Sequence, residues 1–269
     1  RIVTDLERRY AGFDGLNLTW ETLEGLVKHN GPLVGADGAP LGKFKGADLP
    51  FAIRDYAARQ DLMLDTWPSA EAQAAAIADD IAYDAHDLDD GLRAGLFAIE
   101  DMREVPFLAA ILSEVDGKYP GLEESRRIHE IVRRSITRMV EDVIREALKN
   151  LEELAPKSVQ DIRMANRCLV QFSAEMAEQE KAVKRFLFAR VYRHEDVLAV
   201  RRLVSRIVKD LFERFLAGPE LMPKPWNVGL DSLSEDAVAR RVCDYIAGMT
   251  DRYAIEEHRR LFDDTPDLG

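Results

Sequence analysis

Helical periodicity is the feature that most constrains this chain. Between residues 125 and 154, apolar side chains recur at spacings of three and four, as in one amphipathic helix of about 30 residues. The members of this stripe are Ile128, Ile131, Val132, Ile136, Met139, Val140, Val143, Ile144, Ala147, Leu148 and Leu151. Similar stripes cover residues 20–28, 70–100, 178–188, 195–215 and 234–261, and few alternating segments compete with them. The sequence therefore predicts an all-α fold.

Glycine and proline cluster at three breaks in this pattern, residues 31–50, 116–121 and 218–229. The first break is too long for an ordinary connection, and we expect it to be a functional or mobile loop. No internal repeat or low-complexity linker separates two halves, so the sequence predicts one domain over residues 1–269. Because the chain opens at Arg1 inside a helical pattern and without an initiator methionine, we expect the natural domain to begin upstream.

The acidic balance of the chain excludes two broad functions. The 37 basic and 49 acidic residues give a net charge of −12, so the surface should repel phosphate backbones and anionic lipid. We therefore expect no general nucleic-acid binding, and the apolar runs are much shorter than the ~20 residues that span a membrane. Cys168 and Cys243 belong to no metal-binding motif, and we expect them to be buried, reduced thiols of a cytoplasmic protein.

The most informative segment is residues 78–91, which read ADDIAYDAHDLDDG. Asp79, Tyr83 and Asp87 are spaced by four and form one row along a helix. A carboxylate on a rigid helix is a good ligand for a hard divalent cation, and a tyrosine one turn later can hydrogen-bond whatever the cation holds. The row therefore predicts a metal ligand next to a polar binding surface.

Two other interpretations compete for this segment. A calcium loop with Gly91 at its sixth position places His86 first and Phe97 last, where oxygen ligands belong, so it fails. A plain solvated acidic face stays open on composition alone. The apolar residues on the other side of the helix indicate that this side is buried, which argues against a fully solvated helix. They are Ile81, Ala82, Leu88, Leu92 and Leu96.

Five segments that together span residues 16–252 resemble one enzyme family. They are residues 16–21 (LNLTWE), 23–32 (LEGLVKHNGP), 79–83 (DDIAY), 86–93 (HDLDDGLR) and 244–252 (DYIAGMTDR). They resemble the dGTPase-type deoxynucleoside triphosphate triphosphohydrolases, which are HD-domain phosphohydrolases. The resemblance implies the later part of an HD-domain-like helical bundle. It also implies metal-dependent hydrolysis of a dNTP, by attack at the α-phosphorus, to the 2′-deoxynucleoside and inorganic triphosphate.

The same resemblance implies a divalent metal cofactor such as Mg²⁺ or Mn²⁺. Family members hold it with a His, a His-Asp dipeptide and a later Asp, and Asp79 matches that later Asp by motif position. The other ligands lie before the segment that corresponds to Arg1, so we expect this chain alone to be inactive. The dipeptide His86-Asp87 stands in the wrong place to be the metal-binding one.

Substrate-binding residues are implied as well. Asp87 corresponds to a carboxylate that faces the substrate and Tyr83 to the residue beside the sugar, a pairing that would reject a 2′-hydroxyl. The run from Lys184 to His194 resembles the family's helix that carries basic and aromatic groups to the substrate. Lys184 would meet the triphosphate, while Tyr192 and His194 would line the sugar or phosphate side. The alternative for this run is a basic, solvated helix end.

Several expectations concern partners. The substrate is a dNTP, the chain is expected to form a homo-oligomer, and some family members also use effector dNTPs. Five arginines on the polar face of the 125–154 stripe are expected to be solvated, or else to form an oligomer contact or an effector site. They are Arg126, Arg127, Arg133, Arg134 and Arg138. His129 and His258 are expected on the surface. The rival to an enzyme is a non-catalytic nucleotide-binding or assembly module that lacks the metal cage.

Overall fold

Helices make up the regular structure of the chain. The computed structural model describes residues 1–266, in which β pairing is limited to two isolated bridges, Tyr10 with Phe13 and Val34 with Pro40. The all-α prediction is confirmed. The α-helices are α1 (Trp20–Lys28), α2 (Phe51–Ala57), α3 (Ala70–Arg93), α4 (Pro106–Lys118), α5 (Glu124–Leu154), α6 (Val159–Arg163), α7 (Ala174–Leu187), α8 (Glu195–Ala217), α9 (Glu235–Ala247) and α10 (Asp251–Leu261). Shorter helical turns cover Ile2–Leu6, Gly42–Phe44, Ile99–Glu104, Phe188–Tyr192, Pro219–Leu221 and Leu230–Ser232.

Two of the predicted apolar stripes do not form single helices. The stripe over residues 70–100 ends early, because Gly95 adopts a φ of 69° that closes α3 in a left-handed C-terminal turn. The stripe over residues 234–261 is interrupted between α9 and α10. There the Thr250 hydroxyl accepts a hydrogen bond from the Tyr253 N–H (3.2 Å) and starts a new helix. By contrast, α1 has the predicted bounds, and α5 begins one residue before its stripe.

The chain divides into two compact units, each with its own apolar core. The first unit is Asn17–Tyr192, and α3, α4, α5 and α7 contribute its core. Its most deeply buried members include Leu88, Leu108, Ile111, Leu112, Ile131 and Val183. The second unit combines Arg1–Leu16 with residues 193–266. Its core includes Ile207, Leu211, Phe215, Met222, Val242 and Tyr245. That residues 1–269 fold as one domain stays a prediction.

Three of the five arginines on α5 are not simply solvated. Arg127 binds the Asp116 carboxylate of α4 through its Nε (2.7 Å) and Nη2 (2.8 Å) atoms. Arg134 and Arg138 both pair with Glu114 on the same helix. The expectation of a solvated face is therefore wrong for this part of α5, which is tied to α4.

Two expectations about surface position are also corrected. His258 is fully buried, with its Nδ1 atom 2.9 Å from the Thr265 hydroxyl and its Nε2 atom 3.3 Å from Asp210 Oδ2. Cys243 is exposed, whereas Cys168 is partly buried and burial raises its thiol pKa. The expectation of two buried thiols therefore fails for Cys243.

No helix within residues 1–266 combines the length and the apolar character needed to cross a membrane.

A buried ionic cluster fixes α1 to α6 and to the segment before α3. The Glu24 carboxylate accepts two hydrogen bonds of 2.9 Å from the Arg163 guanidinium and lies 3.0 Å from the Lys28 Nζ atom. Lys28 is completely buried, and its ammonium also donates to the Met63 carbonyl (2.8 Å) and the Thr66 hydroxyl (2.7 Å). Burial alone would raise the pKa of Glu24, but the two cations outweigh burial and lower it. Glu24 is therefore a charged group in the interior.

We expect Glu24→Gln to lower the free energy of unfolding by about 3 to 5 kcal/mol, because two buried cations lose their anion. Denaturant unfolding followed by circular dichroism measures this change. Glu178→Gln is the matched control, since Glu178 pairs with Lys181 at the surface and should cost less than about 0.5 kcal/mol. A loss in Glu24→Gln no larger than in the control would mean that Lys28 and Arg163 are stabilised by other contacts.

Candidate functional site

α3 presents a row of polar side chains to solvent. The helix begins after Ser69, whose hydroxyl accepts a hydrogen bond from the Ala72 N–H (3.3 Å). Asp79 is exposed, Tyr83 is 62% exposed and Asp87 is half-buried. The structure therefore places all three residues of the predicted row on one helix, and their roles in binding stay predictions.

The Tyr192 hydroxyl donates a hydrogen bond to Asp87 Oδ2. This bond, followed by burial, raises the pKa of Tyr192 to about 12, so the phenol stays protonated and remains a donor. Within residues 1–266, the second carboxylate oxygen of Asp87 makes no hydrogen bond. One Asp87 oxygen is therefore held by Tyr192, and the other is available to a hydroxyl group from solvent or from a ligand.

Gly91 allows the turn that carries Tyr192 to approach α3. Tyr192 ends the π-helical turn Phe188–Tyr192, which continues α7. A Cβ atom at position 91 would lie 3.1 Å from a methyl group of Val191 and 2.4 Å from the Phe97 ring. A larger residue would therefore displace the Phe97 ring and crowd Val191, the neighbour of Tyr192 in the turn.

Lys184 of α7 is paired with carboxylates on two helices. Its Nζ atom lies 3.0 Å from Asp80 Oδ1 on α3 and also pairs with Glu180, one turn earlier on α7. Burial alone would lower the pKa of Lys184, but the two carboxylates outweigh burial and raise it. The side chain is 44% exposed, so a ligand in solvent can reach this ammonium group.

Asp84 lies beneath these pairs and is the most perturbed acid on the helix. It is 4% exposed, and its Oδ2 atom is buried without a hydrogen-bond partner among residues 1–266. Burial raises the pKa of Asp84 to about 7, while the charge of Lys184 opposes this rise and the charge of Glu180 adds to it. Asp84 therefore changes its protonation state close to neutral pH.

Taken together, the α3–α7 surface contains more acids than bases. We define it by the carboxyl groups of Asp79, Asp80, Asp84, Asp87 and Glu180, the ammonium group of Lys184 and the phenols of Tyr83 and Tyr192. Lys184 and Asp87 both lie close enough to Asp84 to affect its pKa, so they belong to one electrostatic cluster. An anionic ligand must therefore compete with carboxylates for Lys184.

His194 is the one predicted site residue that belongs to the second unit. Its ring caps α8, with the Nδ1 atom accepting a hydrogen bond from the Asp196 N–H (3.4 Å). The same ring nitrogen lies 3.6 Å from the Asp196 carboxylate. Its contacts therefore give His194 a capping function, and its predicted role at the substrate stays a prediction.

The residues of this chain do not fit a complete metal site. Among residues 1–266, no group of three or more His, Cys, Asp or Glu side chains is arranged to hold an ion. Asp79 is exposed and offers one carboxylate, whereas Asp80 is paired with Lys184 and Asp84 is buried. Because helix-borne sites need several converging ligands, Asp79 alone cannot retain a divalent cation, and we derive no catalytic step through one.

Asp80, Asp84 and Glu180 are site residues that the sequence patterns did not predict. Asp80 and Asp84 are four residues apart on the side of α3 that faces α7, and Glu180 and Lys184 have the same spacing on α7. The available signal was the position of Asp84 beside the buried residues Ala85 and Leu88. An acid inside an apolar row indicates either a partner on another helix or a neutral carboxyl group.

Comparison with known proteins places the chain among phosphohydrolases. Residues 170–260 match the family model described as the phosphohydrolase-associated domain, which fits an HD-like helical fold. The chain is 56% identical to deoxyguanosinetriphosphate triphosphohydrolase-like protein 1 of Mesorhizobium japonicum over all 269 residues. It is 55% identical over the same length to the deoxyguanosinetriphosphate triphosphohydrolase-like proteins of Brucella ovis and Rhizobium meliloti.

These matches define the class and then the family. The helical fold and the phosphohydrolase-associated domain place the chain in the HD phosphohydrolase class, whose members are generally metal-dependent. The chain belongs to the family of dGTP triphosphohydrolase-like proteins. All 269 residues of the chain are included in these matches. They span 66% of the length of the Mesorhizobium and Brucella relatives and 65% of the Rhizobium relative.

We expect Asp84→Asn to raise the free energy of unfolding above pH 7 by about 1 to 3 kcal/mol, because the variant avoids a buried charge. An unfolded aspartate loses its proton near pH 4, whereas folded Asp84 retains it to about pH 7. The stability contributed by the proton is therefore complete below about pH 4 and is lost as the pH rises to about 7. Urea unfolding between pH 4 and pH 8 measures this dependence.

Asp90→Asn is the control for this experiment, since Asp90 is an exposed acid on the same helix. Its stability should change by less than about 0.5 kcal/mol at every pH. If Asp84→Asn keeps the parent's loss of stability between pH 4 and pH 7, the buried Asp84 carboxyl is not its cause.

Proposed function

We propose that this chain forms the substrate-binding wall of a deoxynucleoside triphosphate triphosphohydrolase. The observation that carries the proposal is the meeting of Asp87, held by Tyr192, with Lys184 on one surface of α3 and α7. This surface offers a carboxylate acceptor for a sugar hydroxyl and a cation for phosphate within one cluster. Membership of a family whose relatives carry a triphosphohydrolase-like name supports the same activity.

The proposed reaction breaks the bond between the nucleoside 5′-oxygen and the α-phosphorus. Water supplies the oxygen that joins the α-phosphorus, and the 5′-oxygen takes a proton and leaves as the 2′-deoxynucleoside. The other product is intact inorganic triphosphate. Such a reaction depends mainly on positioning and on compensation of phosphate charge.

The sugar is proposed to lie against Tyr83 and Asp87. Because Tyr192 occupies one oxygen of Asp87, the other oxygen can accept a hydrogen bond from the 3′-hydroxyl. The exposed ring of Tyr83 stands one turn before Asp87 on α3, where it can close the space beside C2′. A ribonucleotide would then bring its 2′-hydroxyl against this ring and bind less well.

The triphosphate is proposed to bind Lys184. A flexible ammonium group can follow phosphate oxygens but offers no planar pattern that distinguishes guanine from adenine. Phosphate would take the place of Asp80, whose contact with Lys184 is solvent-exposed on both sides. Lys184 should therefore contribute affinity for every dNTP and little preference for the base.

We propose Asp79 as one ligand of a divalent cation such as Mg²⁺ or Mn²⁺, with the remaining ligands supplied by the third of the relatives' length that this chain does not match. The cation would supply charge compensation to the phosphates. Three further predictions are that His194 contacts the substrate, that an effector dNTP binds, and that the protein is cytoplasmic. The rival function is a module that binds dNTPs without hydrolysing them.

We expect Asp87→Ala in the complete protein to lower kcat/KM for dNTPs by roughly 10- to 150-fold, because one charge-assisted hydrogen bond of about 1.5 to 3 kcal/mol is lost. The readout is inorganic triphosphate released from each of the four dNTPs in the presence of Mg²⁺ or Mn²⁺. The matched substrates are 2′,3′-dideoxynucleotides, which lack the 3′-hydroxyl. For them the parent and the Asp87 variant should be equally slow.

Two outcomes decide between the hypotheses for Asp87. Binding of dNTPs by the complete protein without triphosphate release would support the non-catalytic module. Equal losses on dNTPs and dideoxynucleotides would mean that Asp87 does not bind the 3′-hydroxyl of the sugar.

Tyr83→Ala should raise the activity on NTPs relative to dNTPs, because the ring that excludes a 2′-hydroxyl is lost. The same triphosphate assay measures this ratio, and an unchanged ratio would contradict the placement of the Tyr83 ring beside C2′.

We expect Lys184→Ala to raise KM for all four dNTPs by a similar factor, because a phosphate-binding charge is lost. Added salt should weaken the parent more than the variant, since the lost attraction is screened. Lys181→Ala is the control, because Lys181 lies on the same helix and pairs with Glu178 at the surface. Steady-state kinetics at two salt concentrations measure both effects.

Asp80→Asn should change KM in the opposite direction from Lys184→Ala. It removes the carboxylate that competes with phosphate for Lys184, so KM should fall. A change in KM for one base alone would contradict the proposed role of Lys184 and would move the base pocket to α7.

A further inference from the structure

Asp84 is a buried acid that the proposed function does not use. It is 4% exposed, and its Oδ2 atom has no hydrogen-bond partner among residues 1–266. Additional protein around this position could only bury the side chain further. A buried carboxyl group without partners is costly when it is ionised, whereas its neutral form loses much less on burial. The charges around Asp84 therefore decide whether this group holds a proton.

Titratable groups on α3, on α7 and on the turn after α7 interact with the charge of Asp84. They are Asp80 and Asp87 of α3, Glu180 and Lys184 of α7, and Tyr192 of the turn. Among these groups Lys184 alone is a cation, and it favours the ionised form of Asp84, whereas the three carboxylates favour the neutral form. Asp79, the proposed metal ligand, lies five residues earlier and about 140° around the helix from Asp84. The balance between one cation and three anions therefore sets the protonation of Asp84.

Phosphate bound at Lys184 would change this balance. The Lys184 Nζ atom lies 3.0 Å from Asp80 Oδ1 and also pairs with Glu180. When phosphate takes the place of Asp80, its negative charge compensates the ammonium group, while the Asp80 carboxylate stays one turn from Asp84 on α3. The electrostatic potential at Asp84 therefore becomes more negative on binding, which favours the neutral carboxyl group.

We propose that Asp84 takes up a proton from solvent when the triphosphate of the substrate binds Lys184. This coupling rests on the proposed function, because it requires phosphate at Lys184. Asp84 acts through Lys184 and does not touch the substrate. The proton on its carboxyl group compensates part of the negative charge that phosphate brings to the α3–α7 surface.

The effect on affinity appears above pH 7. In the free protein, burial raises the pKa of Asp84 to about 7, and the charge of Lys184 opposes this rise. A phosphate charge beside Lys184 should raise the pKa further, by about one unit or more at the effective dielectric constant of a protein surface. Below pH 7 both states hold the proton. As the pH rises above 7 the free protein loses the proton first, so the affinity should fall by about tenfold up to pH 9.

Isothermal titration calorimetry of the complete protein with inorganic triphosphate and Mg²⁺ tests the coupling. Triphosphate carries the phosphates of the substrate but has no bond to a nucleoside. Titrations at pH 7.5 in buffers of different ionisation enthalpy give the number of protons taken up per site. The parent should take up about 0.5 proton more than Asp84→Asn, whose amide is neutral at every pH. Protons exchanged by triphosphate itself are the same for both proteins and cancel.

The dissociation constants of triphosphate between pH 6 and pH 9 are the second measurement. The constant of the parent should rise about tenfold more than that of Asp84→Asn. Asp90→Asn is the matched control, because it removes an exposed acid from the same helix, and it should follow the parent. Circular dichroism of each variant confirms that the fold is retained.

The outcomes separate this coupling from the proposed function. Equal proton uptake in the parent and Asp84→Asn would overturn the coupling and leave phosphate binding at Lys184 intact. So would a change in affinity by the same factor at every pH, since that is the result of a purely structural role. A loss of pH dependence in Asp90→Asn as well would assign the effect to surface charge instead of the buried acid. Absence of triphosphate binding would overturn the proposed role of Lys184 and the coupling with it.

Discussion

The ionic contact between Glu24 and its two cations is the interaction on which the first unit most depends. Lys28 and Arg163 are almost fully buried and share this one anion, so neither cation is stable without it. The contact orders the segment before α3, because the Lys28 ammonium also holds Met63 and Thr66. The start of α3 therefore depends on a residue of α1, and the carboxylates that α3 contributes to the α3–α7 surface are positioned from that start.

On the α3–α7 surface, burial and then the neighbouring charges shift the pKa values of Asp84 and Lys184. Ionising Asp84 would add a buried charge beside Glu180, Asp80 and Asp87, and the pKa near 7 avoids much of this cost. Burial alone would lower the pKa of Lys184, but Glu180 and Asp80 favour the charged ammonium group and raise it. A phosphate that displaces Asp80 from Lys184 leaves that carboxylate uncompensated. Binding an anion here therefore requires positive charge beyond Lys184, which accords with a family that is generally metal-dependent.

The sequence predicts the features that depend on neighbours along the chain. The 3.6-residue period located α1 and α5 within one residue, and the spacing of Asp79, Tyr83 and Asp87 placed them on one helix. Features that depend on distant segments were not predicted. Glu24 and Arg163 are 139 residues apart, and the buried His258 ring meets Asp210 of α8, 48 residues earlier. The Asp84 carboxyl is buried on the side of α3 near Glu180 and Lys184 of α7, and no periodicity in α3 predicts this neighbour.

The apolar period of α5 shows why burial and periodicity are separate properties. Ile136, Val140, Ile144 and Leu148 belong to the same sequence stripe as Ile131, Met139 and Val143, yet only the second set lies in the core. One helix of a bundle needs an apolar arc of about 100° towards its core, and the stripe of α5 is wider than that. The extra width adds nothing to the stability of an isolated unit, and it costs solubility. Burial therefore depends on which other elements of the fold reach a helix, and the apolar period within one helix does not encode this.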